Sequence, residues 1–309
     1  MSRSCFLTAI GTPLDERDRI DEQGLEAHLA DQWAAGIDGV LVAGTMGAMQ
    51  LIADEAYKQL VERAAALCQG KGELLVGAGD ASLPRTLDRI ELLNRYPIDG
   101  VAVLSPYVFR FSQAELIDYF RYLADASRVP VYLYDLPALT GTKIEIETMV
   151  ELMKHPNIRG AKCSDHFGWT RQLIDQLKEG EGDDPGSRII VAQPDLVDTL
   201  IHHGIGEFLD GIFGLAPQWT TAIGHAADAG DWQTAASHQR DLSALRRLYA
   251  AYGGMPTMTV VLNARGIRGR YHPRPYRDLS PERRKALLDE PVVQKLLQSK
   301  TRASRATTV

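Results

Sequence analysis

Eight short runs rich in Val, Ile and Leu recur along the chain, and this repetition restricts its fold more than any other feature. The runs are Cys5–Ile10, Gly39–Ala43, Leu74–Gly77, Gly100–Leu104, Val131–Tyr134, Ile158–Lys162, Ile189–Ala192 and Gly206–Phe213. Each has the length of a strand buried on both faces. Between them lie stretches with apolar residues at helical spacing: Leu25–Ala35, Ala56–Cys68, Leu87–Leu93, Leu116–Ala126, Ile146–Met153 and Leu173–Leu177. Strand-then-helix order implies right-handed crossovers and a parallel sheet. Eight such units at roughly 30 residues each predict a (β/α)8 TIM barrel.

Beyond Pro217 the pattern is helical throughout, over Thr220–Ala229, Trp232–Ala251, Met255–Arg265 and Pro281–Gln298. That exceeds what closes a barrel. The expected division is a barrel carrying the active site over residues 1–225 and a C-terminal helical region over 226–309. Ile37-Asp38-Gly39, Ile98-Asp99-Gly100 and Leu209-Asp210-Gly211 read as three copies of one helix-to-strand entry. A doubly wound sheet would place a Gly-rich phosphate loop after its first strand, but Gly11-Thr12-Pro13-Leu14 stands there. The segment Lys178–Gly186 reads as an acidic flexible connection, and Ser299–Val309 as a polar frayed tail.

Composition removes several functional classes. A net charge of -6 without a run of Lys or Arg gives no nucleic-acid footprint. Cys5, Cys68 and Cys163 are odd in number and irregularly spaced, which suits a reducing cytoplasm better than a disulfide frame or a zinc site. The first residues lack the apolar stretch of a signal peptide, and no segment reaches the ~18 apolar residues of a membrane span. The expectation is a soluble cytoplasmic protein with a small-molecule substrate, no nucleic-acid or membrane partner, no metal and no cofactor.

In a barrel of this kind the active site forms at the carboxyl ends of the strands. Strand two ends in Gly44-Thr45-Met46-Gly47, strand four in Ser105-Pro106-Tyr107, strand five in Tyr134-Asp135-Leu136-Pro137, strand six in Lys162-Cys163-Ser164 and strand eight in Phe213-Gly214. A lysine at a buried strand end must find a partner or lose its charge, and a neutral amine condenses with carbonyl groups. Strand alternation puts Tyr132 with Tyr134, and Gly160 with Lys162, on one face each. If that face is inward, Tyr134 and Lys162 converge from adjacent strands. A phenol there can move protons to and from a carbinolamine or an aldol hydroxyl, with Thr45 as its relay, and the neighbouring glycines open backbone N–H groups to a carboxylate. Lys162, Tyr134 and Thr45 are the catalytic candidates. Gly44, Met46, Gly47, Tyr107, Leu139, Ser164 and Phe213 are the substrate-binding ones. His166 reads as a loop histidine, Cys163 as a packed thiol, and His202-His203 diverge too far on a helix to chelate one metal.

These motifs, together with Thr8-Ala9-Ile10-Gly11-Thr12-Pro13, resemble those of the dihydrodipicolinate synthase/N-acetylneuraminate lyase family of Schiff-base aldolases over nearly the whole chain. The resemblance implies a homotetramer (a dimer of dimers), a Schiff base between Lys162 and a 2-oxo acid such as pyruvate, Tyr134 as acid/base, and the Gly44–Gly47 loop as carboxylate holder. Four positions depart from the synthase pattern. Met46 replaces a Thr of the carboxylate loop, which also ends in Ala48 rather than Glu. Val108 stands where synthases carry a relay Tyr, and Leu139 where they carry an Arg for a substrate carboxylate. A carboxylate without that Arg would be poorly paired. The departures therefore point first to cleavage or formation of a 2-keto-3-deoxy sugar acid. A dehydratase using the same imine, dihydrodipicolinate synthase, and a catalytically lapsed binding or regulatory member are the alternatives.

Overall fold

A computed structural model of the protein describes residues 3–179 and 186–306. Most of the acidic connection at Lys178–Gly186 lies outside the described residues. The barrel elements follow one another as β1 (Cys5–Ala9), α1 (Glu22–Ala34), β2 (Gly39–Val42), α2 (Asp54–Cys68), β3 (Glu73–Gly77), α3 (Leu83–Leu93), β4 (Gly100–Leu104) and α4 (Gln113–Ala126). They continue as β5 (Val131–Asp135), α5 (Pro137–Thr140), α6 (Ile146–Met153), β6 (Ile158–Cys163), α7 (Phe167–Glu179), β7 (Arg188–Val191), α8 (Val197–His202), β8 (Glu207–Asp210) and α9 (Pro217–Asp228). The strands are parallel in sequence order and close into a barrel through β1 and β8, so the chain is a (β/α)8 TIM barrel with C-terminal helices. The expected boundary at residues 225 and 226 falls inside α9.

Both faces of the strands are buried, which explains why the runs are continuously apolar rather than alternating. Val40, Val42, Val101, Val103, Val131 and Leu133 point outward and pack beneath the helices with Leu60, Leu93, Phe120 and Leu152. Leu7, Leu41, Leu75, Leu104, Ile190 and Leu209 fill the interior. At the amino ends of the strands Arg188 closes the floor, donating to Glu73 (2.6 Å) and Glu207 (2.8 Å). The opposite end is left for chemistry. Local signals start the helices. In α4 the Ser112 hydroxyl accepts from the Glu115 N–H (3.3 Å) while the Glu115 carboxylate accepts from the Ser112 N–H (2.7 Å), a reciprocal cap.

Two of the three Asp-Gly copies share one function. The Asp38 carboxylate accepts from the Phe6 N–H (2.9 Å) and that of Asp99 from the Leu74 N–H (2.7 Å), so each ties a strand entry to the preceding strand. The third copy differs. Asp210 ends β8, where its carboxylate accepts from the Ile212 N–H (2.9 Å) and turns the chain into a 3-10 segment, Ile212–Leu215. Strand eight is therefore shorter than Gly206–Phe213.

The C-terminal region comprises α10 (Trp232–Ala251), α11 (Met255–Ala264), α12 (Pro281–Asp289) and α13 (Pro291–Ala306). Pro291 cannot continue a helix from Asp289, so the segment expected as one helix is two. The second runs into the stretch expected to fray. Leu242 and Leu245 of α10 are buried in one cluster with Trp219 and Ile223 of α9 and Phe213.

Candidate active site

The site depends on a local irregularity in β6. Val131 pairs with Ile158, but Tyr132 pairs with Gly160 and Tyr134 with Lys162, leaving Arg159 as an extra residue. Ile158 lies outside the barrel, packed under the helices. The bulge shifts the alternation so that Gly160 and Lys162 point inward beside Tyr132 and Tyr134. Gly160 is required there, because a Cβ would collide with the carbonyl oxygen of Arg188 on β7.

Lys162 is only 4% exposed. Its Nζ donates to the Ser164 Oγ at 2.6 Å and lies 4.0 Å from the centroid of the Tyr134 ring. The Tyr134 hydroxyl in turn lies 3.2 Å from Thr45 Oγ1. These groups line a cavity of about 450 Å³ at the carboxyl ends of the strands, together with Ala9, Met46 and Leu136. The Thr45 loop is held by left-handed backbone at Ala43 (φ 51°) and Ala48 (φ 55°) and by the Thr12 hydroxyl, which donates to the Gly47 carbonyl at 2.6 Å. The backbone N–H groups of Thr45, Met46 and Gly47 have no backbone acceptor among the described residues.

An ion network fixes the two strand ends relative to each other. The Lys143 ammonium bridges the carboxylates of Asp135, beside Tyr134, and Asp165 (2.9 Å), beside Ser164. Asp135 is almost wholly buried and also accepts from the Ile144 N–H at 3.2 Å. Burial pushes the Asp135 carboxyl above its ordinary range, only partly offset by Lys143. Burial opposes the Lys143 charge too, but the two carboxylates outweigh it and hold the lysine above its ordinary range.

Of the residues singled out from sequence, Lys162, Tyr134, Thr45, Met46 and Ser164 thus share one cavity. Gly44 and Gly47 belong to the same loop as Thr45 but do not line the cavity. Tyr107 lies apart, its hydroxyl 3.5 Å from the Asp80 carboxylate. Leu139 sits on α5, 61% exposed. The expectation for Phe213 is corrected: with β8 ending at Asp210, its ring is fully buried between barrel and C-terminal helices, edge-on to Phe6 at 6.2 Å. Val108 is 79% exposed with left-handed backbone at φ 83°. His166 caps α7, its Nδ1 accepting from the Gly168 N–H at 3.1 Å. Burial pushes the Cys163 thiol up to about 12, so it is a packed thiol.

Sequence reasoning missed one wall of the cavity. Gln193 and Asp195 from the β7–α8 loop, Asp210 from β8, and Arg246 and Tyr249 from α10 line it. Arg246 donates to Asp195 through Nε at 2.6 Å and Nη2 at 2.5 Å. The Tyr249 hydroxyl donates to the Met46 sulfur at 3.2 Å. Arg246 and Tyr249 are three residues apart and so share a helix face, a pairing that could have marked α10 as more than an appendage. Among the described residues no cluster of His, Cys, Asp and Glu is arranged to hold a metal. No helix there is long and apolar enough to cross a membrane.

A model of the dihydrodipicolinate synthetase family matches residues 3–292. The chain is 28% identical to a 4-hydroxy-tetrahydrodipicolinate synthase of Exiguobacterium sp., covering 84% of this chain and 87% of that one. It is 30% identical to 4-hydroxy-tetrahydrodipicolinate synthase 1 of Streptomyces coelicolor, covering 84% of each. Among solved structures it is similar to YagE of E. coli K12, a prophage protein of the dihydrodipicolinic acid synthase family in complex with pyruvate. That likeness has a TM-score of 0.84 at 23% identity over 97% of this chain and 99% of that one, and at such identity it speaks for the fold.

Proposed function

The chain belongs to the dihydrodipicolinate synthetase family, and from that premise we propose that it is a pyruvate-dependent, Schiff-base aldolase-type enzyme acting through Lys162. The observation that carries this is the placing of a buried lysine at the barrel mouth, its Nζ against Tyr134 and Ser164. The Lys162 amine adds to C2 of pyruvate and water leaves, giving an imine. Loss of a C3 proton yields an enamine, whose C3 attacks the carbonyl carbon of an aldehyde. The new oxyanion takes a proton from the Tyr134 hydroxyl, which Thr45 at 3.2 Å resupplies. Water then releases the product from Lys162, and cleavage runs through the same steps backwards. The N–H groups of Thr45, Met46 and Gly47, which have no backbone acceptor among the described residues, suit the pyruvate carboxylate.

For the second substrate, the relatives' printed names support the synthase, 4-hydroxy-tetrahydrodipicolinate synthase, ahead of the sugar-acid cleavage expected from the sequence. Cleavage of a 2-keto-3-deoxy sugar acid is the second reading, favoured by Met46, Val108 and Leu139 at the departed positions. Product analysis separates them. Pyruvate consumption with aspartate semialdehyde supports the synthase, pyruvate release from 2-keto-3-deoxy acids supports cleavage, and loss of water without cleavage supports the dehydratase. Turnover of none of them points to the lapsed member. Homotetrameric assembly and a cytoplasmic location belong to the same proposal. The first is supported by Val108 and Phe109, two adjacent large apolar side chains exposed on the β4–α4 loop, and tested by sedimentation. The second is supported by three free cysteines.

A further inference from the structure

Of the four positions that depart from the synthase pattern, only Met46 lines the cavity that holds Lys162. Its side chain runs from the β2–α2 loop to the end of β8 and to α10. The sulfur accepts the Tyr249 hydroxyl of α10 at 3.2 Å. The methyl end lies over Gly211, so closely that a Cβ there would overlap Met46 Cε and stand 2.8 Å from its Cγ. Gly211 has φ −77°, a backbone open to any residue, so it is the thioether and not the turn that requires a glycine. Met46 thereby packs both with the barrel interior and with the cluster between barrel and C-terminal helices.

The loop needs such a hold. Ala43 and Ala48 bracket it with left-handed backbone, a conformation disfavoured for any residue with a Cβ and kept only where the surroundings impose it. Thr12 fixes one side through the Gly47 carbonyl at 2.6 Å. Met46 fixes the other. Its neighbour Thr45 is the residue whose Oγ1 meets the Tyr134 hydroxyl at 3.2 Å. The anchor is firm, because Tyr249 stands one turn beyond Leu245, which with Leu242 is buried in one cluster with α9. Burial and the Asp210 charge raise the Tyr249 phenol above its ordinary range, so the hydroxyl keeps its proton and donates to the sulfur. A threonine at position 46 ends one bond short of that sulfur and cannot reach the Tyr249 hydroxyl.

We propose that Met46 and Tyr249 are positioning residues for the proton relay: the thioether, seated on Gly211 and held by the Tyr249 hydroxyl, clips the β2–α2 loop to α10 and keeps Thr45 against Tyr134. The inference rests on the Schiff-base reading above. It gives the C-terminal region a part in the chemistry, along a line of contacts from α10 through Met46 and Thr45 to Tyr134. The clip takes part in no bond change. It acts on the step in which Tyr134 and Thr45 move protons at the carbinolamine formed on Lys162.

The test follows imine formation, which needs pyruvate alone as probe. The full-length protein is mixed with pyruvate, quenched with borohydride at intervals and its intact mass measured. Tyr249→Phe should slow formation about 3- to 10-fold, the loss of one neutral hydrogen bond. It should shift the half-saturating pyruvate concentration less than about twofold, because Thr12 still holds the loop backbone. Met46→Leu and Met46→Thr should slow formation to a similar degree, the second although it restores the hydroxyl of the synthase loop. Gly211→Ala, by dislodging Met46, should slow it about 10- to 100-fold. In a Thr45→Val background Tyr249→Phe should change the rate by less than about twofold, because the residue it acts through is gone. A wild-type rate in Tyr249→Phe overturns the clip. So does a Tyr249→Phe loss as large in the Thr45→Val background as in wild type, which is what a merely structural role would give. If wild type forms no adduct, the Schiff-base reading itself fails, whereas a normal wild-type adduct with either of those results sinks the clip alone.

Discussion

Replacing Lys143 by Met should destabilise the protein and slow its chemistry together, because one ammonium joins the two strand ends that carry the site. Lys143→Met leaves Asp135, 1% exposed, with the Ile144 N–H as its remaining hydrogen bond among the described residues. Removing one partner of a buried pair costs about 3–5 kcal/mol. The lysine itself is 18% exposed, so water partly relieves the loss and about 3 kcal/mol is expected. Asp165, 29% exposed, adds little. Urea unfolding at pH 7 measures the change, and adding Asp135→Asn should recover most of it by removing the stranded charge. Tyr134 and Ser164 flank the two carboxylates, so kcat should fall more than KM rises. A loss below about 1 kcal/mol, or a double variant as unstable as the sum of the two single ones, would show that Lys143 does not hold the Asp135 charge.

Tyr134→Phe removes the hydroxyl but keeps the ring against Lys162, so kcat should drop by about 10²–10⁴-fold while the borohydride-trapped pyruvate adduct still forms; steady-state kinetics and intact mass check both. Asp80 holds the β3 end through Arg85 (2.9 Å) and Arg89 (2.8 Å). Burial opposes its charge, but Arg85, the Ala81 N–H and Arg89 outweigh it and keep the carboxyl below its ordinary range. Its contribution is therefore present above the unfolded carboxyl pKa and lost as pH falls through the folded one. Asp80→Asn should destabilise by about 1–2 kcal/mol at pH 7, and the gap in denaturant midpoint should close as pH falls through the lowered pKa of the folded carboxyl. Burial pushes the thiols of Cys5, Cys68 and Cys163 up to about 12. A thiol reagent at pH 8 should label none of them in the folded protein and all three in denaturant.

The barrel was legible because strands buried on both faces leave short apolar runs that no amphipathic element produces. The meeting of Tyr134 and Lys162 was legible from alternation within each strand. Its physical cause was not: only the extra residue Arg159 brings the inward phase of β6 into line with β5, and a bulge has no signature beyond the glycine after it. Phe213 was misplaced because Leu209-Asp210-Gly211 was read as a strand entry like its two look-alikes, whereas the Asp210 side chain ends the strand by taking the Ile212 N–H. Arg246 and Tyr249 were missed for a different reason. Which face of a long appended helix meets the barrel is decided by the packing of Leu242 and Leu245 against α9, a contact far apart in sequence.

Imine formation at Lys162 is tested most directly by mapping the adduct left when the full-length protein is reduced with borohydride in the presence of pyruvate. A single modified peptide carrying Lys162 is expected, and no adduct in Lys162→Ala. An unmodified wild type, a modified lysine elsewhere, or an adduct that persists in Lys162→Ala would contradict it.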